Sequence, residues 1–356
     1  MAERMRVLLA ESDRSVSLAV ANALRARGVD VMTANDAAHA MNMARKERPD
    51  AIVMSERLAG GAVPTLRRIR SNVYTTHIPV VALAGAGEPC AQMTAAGAQE
   101  CVPPGADPGG LEEAVRRNML KDLDFTHAPR EEILSPQRLQ DVRDCGLLDT
   151  PPEPRFDLLT SLAASLCDAP TALVSLVDKD RQFFKSQTGL AQPWAGARQT
   201  RLSHSFCQWV VAGKECVVVQ DAHEIPALSA NLAVRDMGVI AYAGIPIQGR
   251  RGQAIGSFCA IDSKPREWSA EDIATLEDLA RIAQGYAVLD QARKYQANVR
   301  DTGAFMNLET SAHVAGNAIL GANNIIRRHG SRLTEEQRGA LLAIIEEQSR
   351  HLAQLP

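Results

Sequence analysis

Aromatic side chains are scarce, at 4% of 356 residues, which argues against a surface built to stack on bases or sugars. Basic charge is not in excess either. Lys and Arg total 39 against 42 Asp and Glu, for a formal net charge of −3. No broad positive field is therefore available to grip nucleic acid or an anionic membrane. No apolar run reaches the roughly 18 residues that crossing a bilayer requires. The opening MAERMRVLLAESD places acidic residues on both sides of a very short apolar stretch and does not read as a secretion signal. The expected compartment is the cytoplasm. Seven cysteines (Cys90, Cys101, Cys145, Cys167, Cys207, Cys216 and Cys259) form an odd set with no Cys-x-x-Cys pair. A disulfide framework or a structural zinc site of the usual spacing is not expected, and most of these thiols should be small buried residues. What remains is ordinary soluble composition, 46% hydrophobic and 23% charged, at a length that suits two or three domains.

Residues 5–120 alternate strand-like and helix-like stretches. Strands are expected at 6–10, 29–33, 51–54, 79–83 and 100–102. Helices are expected after the first strand as far as Gly28, at 36–47 and at 109–120. Continuous apolar strands alternating with helices imply a parallel sheet covered on both faces. A polar, charged stretch over 123–135 reads as a linker. Residues 136–290 change character. Strand candidates at 172–177, 215–219, 241–247 and 254–261 follow one another, with helices at about 136–145, 154–167 and 270–290. That order suggests an antiparallel α+β sheet. From Ser269 on the pattern is helical. Leu279, Ile282, Tyr286 and Leu289, then Phe305, Leu308, Ala312, Ala315, Ile319, Ala322 and Ile326, recur at spacings of three and four. A break at His329-Gly330-Ser331 precedes a second helix with Thr334 as N-cap and Leu341, Ile344, Ile345 and Leu352 on its apolar face. Such a hairpin hides its stripe either in a four-helix bundle with a second copy or by folding back on its own domain. The dimer is preferred, because the stripe runs straight out of the preceding domain.

The first segment, 1–122, resembles a response-regulator receiver domain, through RVLLAESD, PDAIVMSERLAGG and the stretch from Pro79 through GAQECVPPG. The resemblance implies a site in which acidic residues hold Mg²⁺, an Asp accepts a phosphoryl group, a Lys neutralises it and a hydroxyl tracks it. Here the acidic pair reads Glu11-Ser12, followed by Asp13. Ser55 stands at the phosphoacceptor position, Ala84 at the hydroxyl position, and Pro104-Gly105 where Lys-Pro is expected. Nucleophile, Lys and hydroxyl are lost together, so the domain is expected to be a pseudo-receiver serving protein–protein contact. A doubly wound ligand-binding domain is the alternative, though no glycine-rich phosphate loop supports it.

Residues 136–290 resemble a GAF domain. The blocks that carry the likeness run from RLQDVRDCGLLDTPPEPRFDLL to LVDKDRQFFKS, then SHSFCQWVV, MGVIAYAGIPI and AIGSFCAIDSKPREWSAEDIATLEDLA. The resemblance implies a sensor or structural relay with a pocket for an unidentified small molecule. His204, Phe206, Cys207, Tyr242 and Cys259 are its candidate lining. Cys207 and Cys259 approach each other if strand and helix face one another. They then serve as a thiol redox sensor or enzyme, as part of a metal site with His204 that is one ligand short, as an anchor for a tetrapyrrole, or as plain buried residues. The surroundings do not look like those of phytochromes. The free methionine sulfoxide reductases also use GAF cysteines but are compact single-domain enzymes.

Residues 291–356 resemble a signalling helix followed by the dimerisation and phosphotransfer hairpin of histidine kinases, through Asn317-Ala318-Ile319-Leu320-Gly321 and LTEEQRGALLAIIEEQSRHL. Thr310, or Ser311 by a second alignment, falls where that family has its phosphorylated His, and Ala315 where it has Pro. His313, one turn on, is the candidate for a displaced phosphotransfer site; His329 and His351 rank below it. No Asn/Gly-rich ATP-binding segment follows Pro356 and no P-loop pattern occurs. The chain alone is expected not to turn over ATP.

The expected whole is multidomain, α/β and α+β: a doubly wound parallel receiver-like domain, an antiparallel-sheet GAF domain, and a helical hairpin in a dimeric four-helix bundle. It resembles a hybrid histidine kinase without its phosphoryl chemistry. The expected role is a non-catalytic two-component scaffold that modulates a partner kinase or response regulator. Phosphotransfer through His313, a hybrid-kinase fragment, and thiol chemistry at Cys207 and Cys259 are the alternatives. No metal and no resident cofactor are expected. Homodimerisation and a kinase or response-regulator partner are, with neither nucleic acid nor membrane.

Overall fold

A computed structural model describes residues 4–85, 87–119, 126–298 and 308–353, with side chains left aside over 289–298 and 308–311. It divides into two compact units, 1–125 and 126–356.

In the first unit the elements are β1 (Arg6–Ala10), α1 (Arg14–Arg25), β2 (Asp30–Ala34), α2 (Ala37–Glu47), β3 (Ala51–Ser55), α3 (Ala62–Ser71), β4 (Val80–Leu83), α4 (Glu88–Ala95), β5 (Glu100–Val102) and α5 (Pro108–Met119). The five strands are parallel in the order β2-β1-β3-β4-β5, the doubly wound order of CheY-like folds. Period-two alternation builds a core on each face of the sheet. Leu8, Ala10, Ile52 and Met54 join Met41, Leu66 and Met93 on one face. Val7, Leu9, Val31 and Val53 join Leu24, Leu111 and Val115 on the other. Two helices, α3 and α4, went unread in the sequence, because α3 is short and rich in Arg and α4 buries only Met93. On α1 the apolar Val16 and Leu18 are exposed, and Ala21 and Leu24 face the sheet.

The expectation of no disulfide is corrected in this unit: Cys90 on α4 and Cys101 on β5 are bonded, with Cα atoms 5.9 Å apart. Pairing of this kind depends on which elements pack together, which cysteine spacing does not report.

The second unit begins inside the stretch read as a linker. The elements are α6 (Arg130–Ile133), α7 (Pro136–Asp144), α8 (Pro154–Leu166), β6 (Thr171–Val177), β7 (Arg181–Thr188), α9 (Trp194–Ala197), β8 (Gln199–Arg201), α10 (Cys207–Gly213), β9 (Val217–Val219), α11 (Pro226–Ser229), α12 (Leu232–Met237), β10 (Ala241–Gln248), β11 (Ala254–Asp262), α13 (Ala270–Asn298), α14 (Leu308–His329) and α15 (Glu335–Ala353). Residues 126–135 are no free linker: the Ala128 amide donates to Gln208 Oε1, and buried Arg138 donates to the Ile133 and Val177 carbonyls. Six antiparallel strands run β8-β7-β6-β11-β10-β9. Strands β7 and β8 went unread because polar RQFFKSQT and QTR lack a continuous apolar run.

Helices α8 and α13 cover one face of this sheet, where Val174, Leu176, Phe258 and Ala260 meet Phe156, Leu159, Leu279 and Ile282. The same cluster continues into the hairpin through Ala322, Ile325, Leu341 and Ile344. The apolar stripe of α14 and α15 therefore folds back on α13 of its own chain. Its buried line on α14 runs through Val314, Ala315, Ala318, Ala322 and Ile325, leaving Ile319 and Ile326 partly exposed. Small residues are chosen because the backbones approach closely: a Cβ on Gly321 lies 2.6 Å from the Asp278 carbonyl oxygen, and one on Gly285 lies 2.9 Å from Ala318 Cβ. Beside this crossing Asp278, nearly fully buried, accepts from Asn324 Nδ2 at 3.1 Å and Arg328 at 3.0 Å, and also from Arg281. One turn away His329 is buried, its Nε2 2.7 Å from Thr275 Oγ1, with Nδ1 3.4 Å from Glu271. Phe305, read as part of the stripe, lies outside the described residues, as does the Leu308 side chain.

Two predictions follow from the crossing. Gly321→Ala forces the helices apart and lowers stability by about 1–3 kcal/mol, the usual range for overpacking, read by chemical denaturation. Burial holds His329 below its ordinary 6.5, against the opposing pull of Glu271; Arg332 and Arg328 lower it further, and Asp272 also raises it. The unfolded chain then takes up the proton first. The contribution of neutral His329 is complete above pH 6.5 and is lost as pH falls below it. Melting curves in acid should drop more steeply for the natural chain than for His329→Gln.

Candidate functional sites

The strand ends of the first unit hold the residues at receiver-site positions. Ser55 ends β3 and is buried; its Oγ accepts the Arg57 amide at 3.2 Å. Glu11, also buried, accepts the Asp13 amide at 2.8 Å. Asp13 is occupied as the N-cap of α1, accepting from the Ser15 and Val16 amides and the Ser15 hydroxyl, and these bonds hold its carboxyl below the ordinary range. Ser12 donates to the Asn35 carbonyl at 2.6 Å and accepts the Ala59 amide at 2.7 Å. Glu56 accepts the Gly85 amide at 3.1 Å. Ala84 is buried, whereas Pro104 and Gly105 are exposed. The polar groups here stitch loops to one another.

The interior of the second unit lies on the sheet face opposite α8 and α13. There α10 packs on β11, β10 and β6. Register sets the cluster: Cys259 stands beside Gly244 and Leu173, and Ser257 beside Ser175, so these odd-numbered β11 residues point toward α10. Gly244 is required, because a Cβ there lies 2.2 Å from the Tyr242 hydroxyl. Without one, the phenol lies along the strand and its hydroxyl donates to Cys207 Sγ at 3.5 Å, with Ser257 Oγ 3.4 Å away. Phe206 packs on Tyr242 with ring centroids 5.5 Å apart. The structure thus brings together Phe206, Cys207, Tyr242 and Cys259, four of the five residues proposed from sequence. His204 is elsewhere: its Nε2 is 3.1 Å from Asp236, its Nδ1 3.1 Å from Ser203 Oγ, and its ring lies 5.3 Å from that of Trp194.

Ser175 and Ser257 went unread. The available signal was a lone hydroxyl inside each apolar strand, ALVSLV and AIGSFCAI. Both are fully buried, as are Cys207, Tyr242 and Cys259. The two thiols titrate as a pair. Cys207 is lowered to about 6, chiefly by hydrogen bonding from Cys259, with Ser257, Tyr242 and Ser175 adding to it against the opposing effect of burial. Cys259 is raised first by burial and then by its hydrogen bond with Cys207, and Tyr242 first by burial and then by the charge on Cys207. Both thiols are unoxidised in this structure. The donors gathered around Cys207 favour its ionised form, and burial opposes it.

On the hairpin, His313 is exposed, and Asn317 Nδ2 donates to its Nε2 at 3.1 Å. Thr310 lies in α14, with its side chain outside the described part.

Residues 151–284 match the family model of the GAF domain, and the second unit therefore carries a GAF domain. Cyclic di-GMP phosphodiesterase PA2567 of Pseudomonas aeruginosa is 36% identical over 143 residues, which is 40% of this chain and 24% of that protein. The chain thus spans about a quarter of that curated relative's length. Among solved structures, the receiver domain of sensor histidine kinase PA1611 from Pseudomonas aeruginosa is 22% identical, covering 33% of this chain and 100% of that one at a TM-score of 0.32. Chemotaxis response regulator CheY4 of Vibrio cholerae is 21% identical, covering 32% and 98% at 0.31. The first unit thus has the parallel sheet order of a doubly wound fold, and the second carries a GAF domain over residues 151–284. Among the described residues, no helix is long and apolar enough to cross a membrane.

Cys259→Ala removes the leading donor to Cys207. Its ionisation should then move up from about 6 past the ordinary thiol value, as read from the ultraviolet absorbance of the thiolate against pH. An unchanged titration would show that the two sulfurs are not coupled.

Proposed function

We propose that the chain is a non-catalytic signalling relay, in which the state of the GAF interior sets the arrangement of the α14–α15 hairpin, and the hairpin engages a partner histidine kinase or response regulator. The observation that carries this is the shared core: α13 contributes Leu279, Ile282 and Tyr286 to one apolar cluster that holds sheet residues and hairpin residues alike. A shift of the sheet face is felt at the hairpin through that helix.

A relay needs two arrangements of comparable energy. Gln348 supports a second one. It is fully buried on α15, yet neither atom of its amide has a hydrogen-bond partner among the described residues, a condition that costs about 1–3 kcal/mol. The folded-back hairpin thus carries an uncompensated polar group that another arrangement relieves. Leu320 and Leu342, 50% and 49% exposed on the outer face, support homodimerisation or partner docking through that face.

The absence of phosphoryl chemistry from this role rests on the residues already placed: Ser55 satisfied by a neighbouring amide, Ser12 used as a loop tie, and Pro104-Gly105 in place of Lys-Pro. Two competing readings have an observation each. Thiol chemistry draws on the lowered ionisation of Cys207. Phosphotransfer draws on the exposure of His313. The phosphodiesterase activity named for the Pseudomonas relative stays with that protein.

The test has two arms. Incubation with a labelled phosphorylated response regulator should leave no label on the chain; label that vanishes with His313→Ala would overturn the non-catalytic reading in favour of phosphotransfer. Phe206→Ala, which opens the GAF interior, should accelerate amide hydrogen exchange severalfold along α13 and α14. Unchanged exchange there would rule out the relay.

A further inference from the structure

Of the helices in the first unit, α4 buries the fewest side chains. Met93 is its one buried residue, and Gly87 ahead of it, at φ 90°, supplies no side-chain cap. A two-turn helix with a single anchor is marginal by itself and belongs to the low-stability end of a fold. Its neighbour β5 is a three-residue edge strand paired only with β4. The Cys90–Cys101 disulfide joins these two weak elements. Both cysteines are half-buried, and their Cα separation of 5.9 Å lies within the span a disulfide bridges without moving the backbone. Thr94 Oγ1 lies 3.6 Å from Cys101 Sγ. The same helix supplies Pro89, Gln92 and Met93 to one wall of a crevice of about 480 Å³, opposite Glu56, Arg57 and Val63.

We propose that Cys90 and Cys101 form a reversible thiol–disulfide clamp that sets whether α4 is pinned to the sheet edge, and with it the shape of this crevice. Oxidised, the bond joins α4 to β5. Reduction by a glutathione-type thiol breaks the bond through a mixed disulfide. Each cysteine sulfur gains one electron and one proton, and two glutathione molecules leave joined by a new disulfide. With the bond open, Met93 alone anchors the helix, and the crevice wall loosens. Oxidation runs the same exchange backwards, with glutathione disulfide as the electron acceptor. A partly buried pair that joins a weakly held helix to an edge strand suits such exchange. This inference is independent of the GAF relay.

The test uses the full chain equilibrated in glutathione buffers of rising oxidised fraction, trapped by alkylation and read by peptide mass spectrometry. Cys90 and Cys101 should pass from doubly alkylated to disulfide within the series, while buried Cys145 and Cys167 stay reduced. Hydrogen exchange over residues 88–95 should be severalfold faster in the reduced chain, and Cys90→Ser should show the fast rate in both buffers. The natural chain compared in its two redox states carries the test even where the variant fails to fold. A pair fixed in one state across the series, or equal exchange in the two states, overturns the clamp.

Discussion

One helix, α13, is packed on two sides at once, and the second unit depends on that. Leu279, Ile282 and Tyr286 belong to a core that begins at Phe156 and Phe258 and ends at Leu341 and Ile344. A helix covered on one side only would leave the hairpin free to go where it likes. Here the close approach at Gly321 and Gly285 allows no change on one side without an adjustment on the other, because packed interiors do not deform continuously. The buried Asp278, bridged by Arg281, Arg328 and Asn324, adds a polar register to an otherwise apolar seam. Removing one partner of such a cluster leaves a buried charge exposed to low dielectric, which makes the register specific.

The first unit solves a different problem. The polar groups at its strand ends hold loops together. Ser12 and Glu56 do this with short bonds to neighbouring backbone, and Asp13 does it as a helix cap. The same positions that resemble a reactive site are spent on local order. In the GAF interior hydroxyl and thiol donors converge on Cys207 and lower its pKa against the opposing effect of burial.

Legibility followed range. Strands at 6–10, 51–54 and 254–261 were readable because an apolar run bounded by turn residues is a short-range signal. Strand pairing in the structure then placed Cys259 and the unread Ser257 on one face. Polar β7 and the lightly anchored α4 carried no such signal, and tertiary contacts alone made them regular. On α14 the sequence pattern marked Ala315, Ile319, Ala322 and Ile326; Ala315 and Ala322 are buried, but Ala318 and Ile325 take the buried face in place of Ile319 and Ile326, because backbone proximity outranks side-chain size where helices cross closely.

The amino-acid order by itself determined the alternating and then antiparallel element types, the presence of Ser55, Ala84 and Pro104-Gly105 at the positions that resemble a receiver site, and the candidacy of Cys207 and Cys259. Only the tertiary structure decided that those two thiols meet while His204 turns to Asp236, that Cys90 reaches Cys101, and that the hairpin lies along α13. Periodicity and residue identity act over a few positions, whereas which sulfur faces which, and which side of a helix is covered, are settled by packing between segments far apart in the chain.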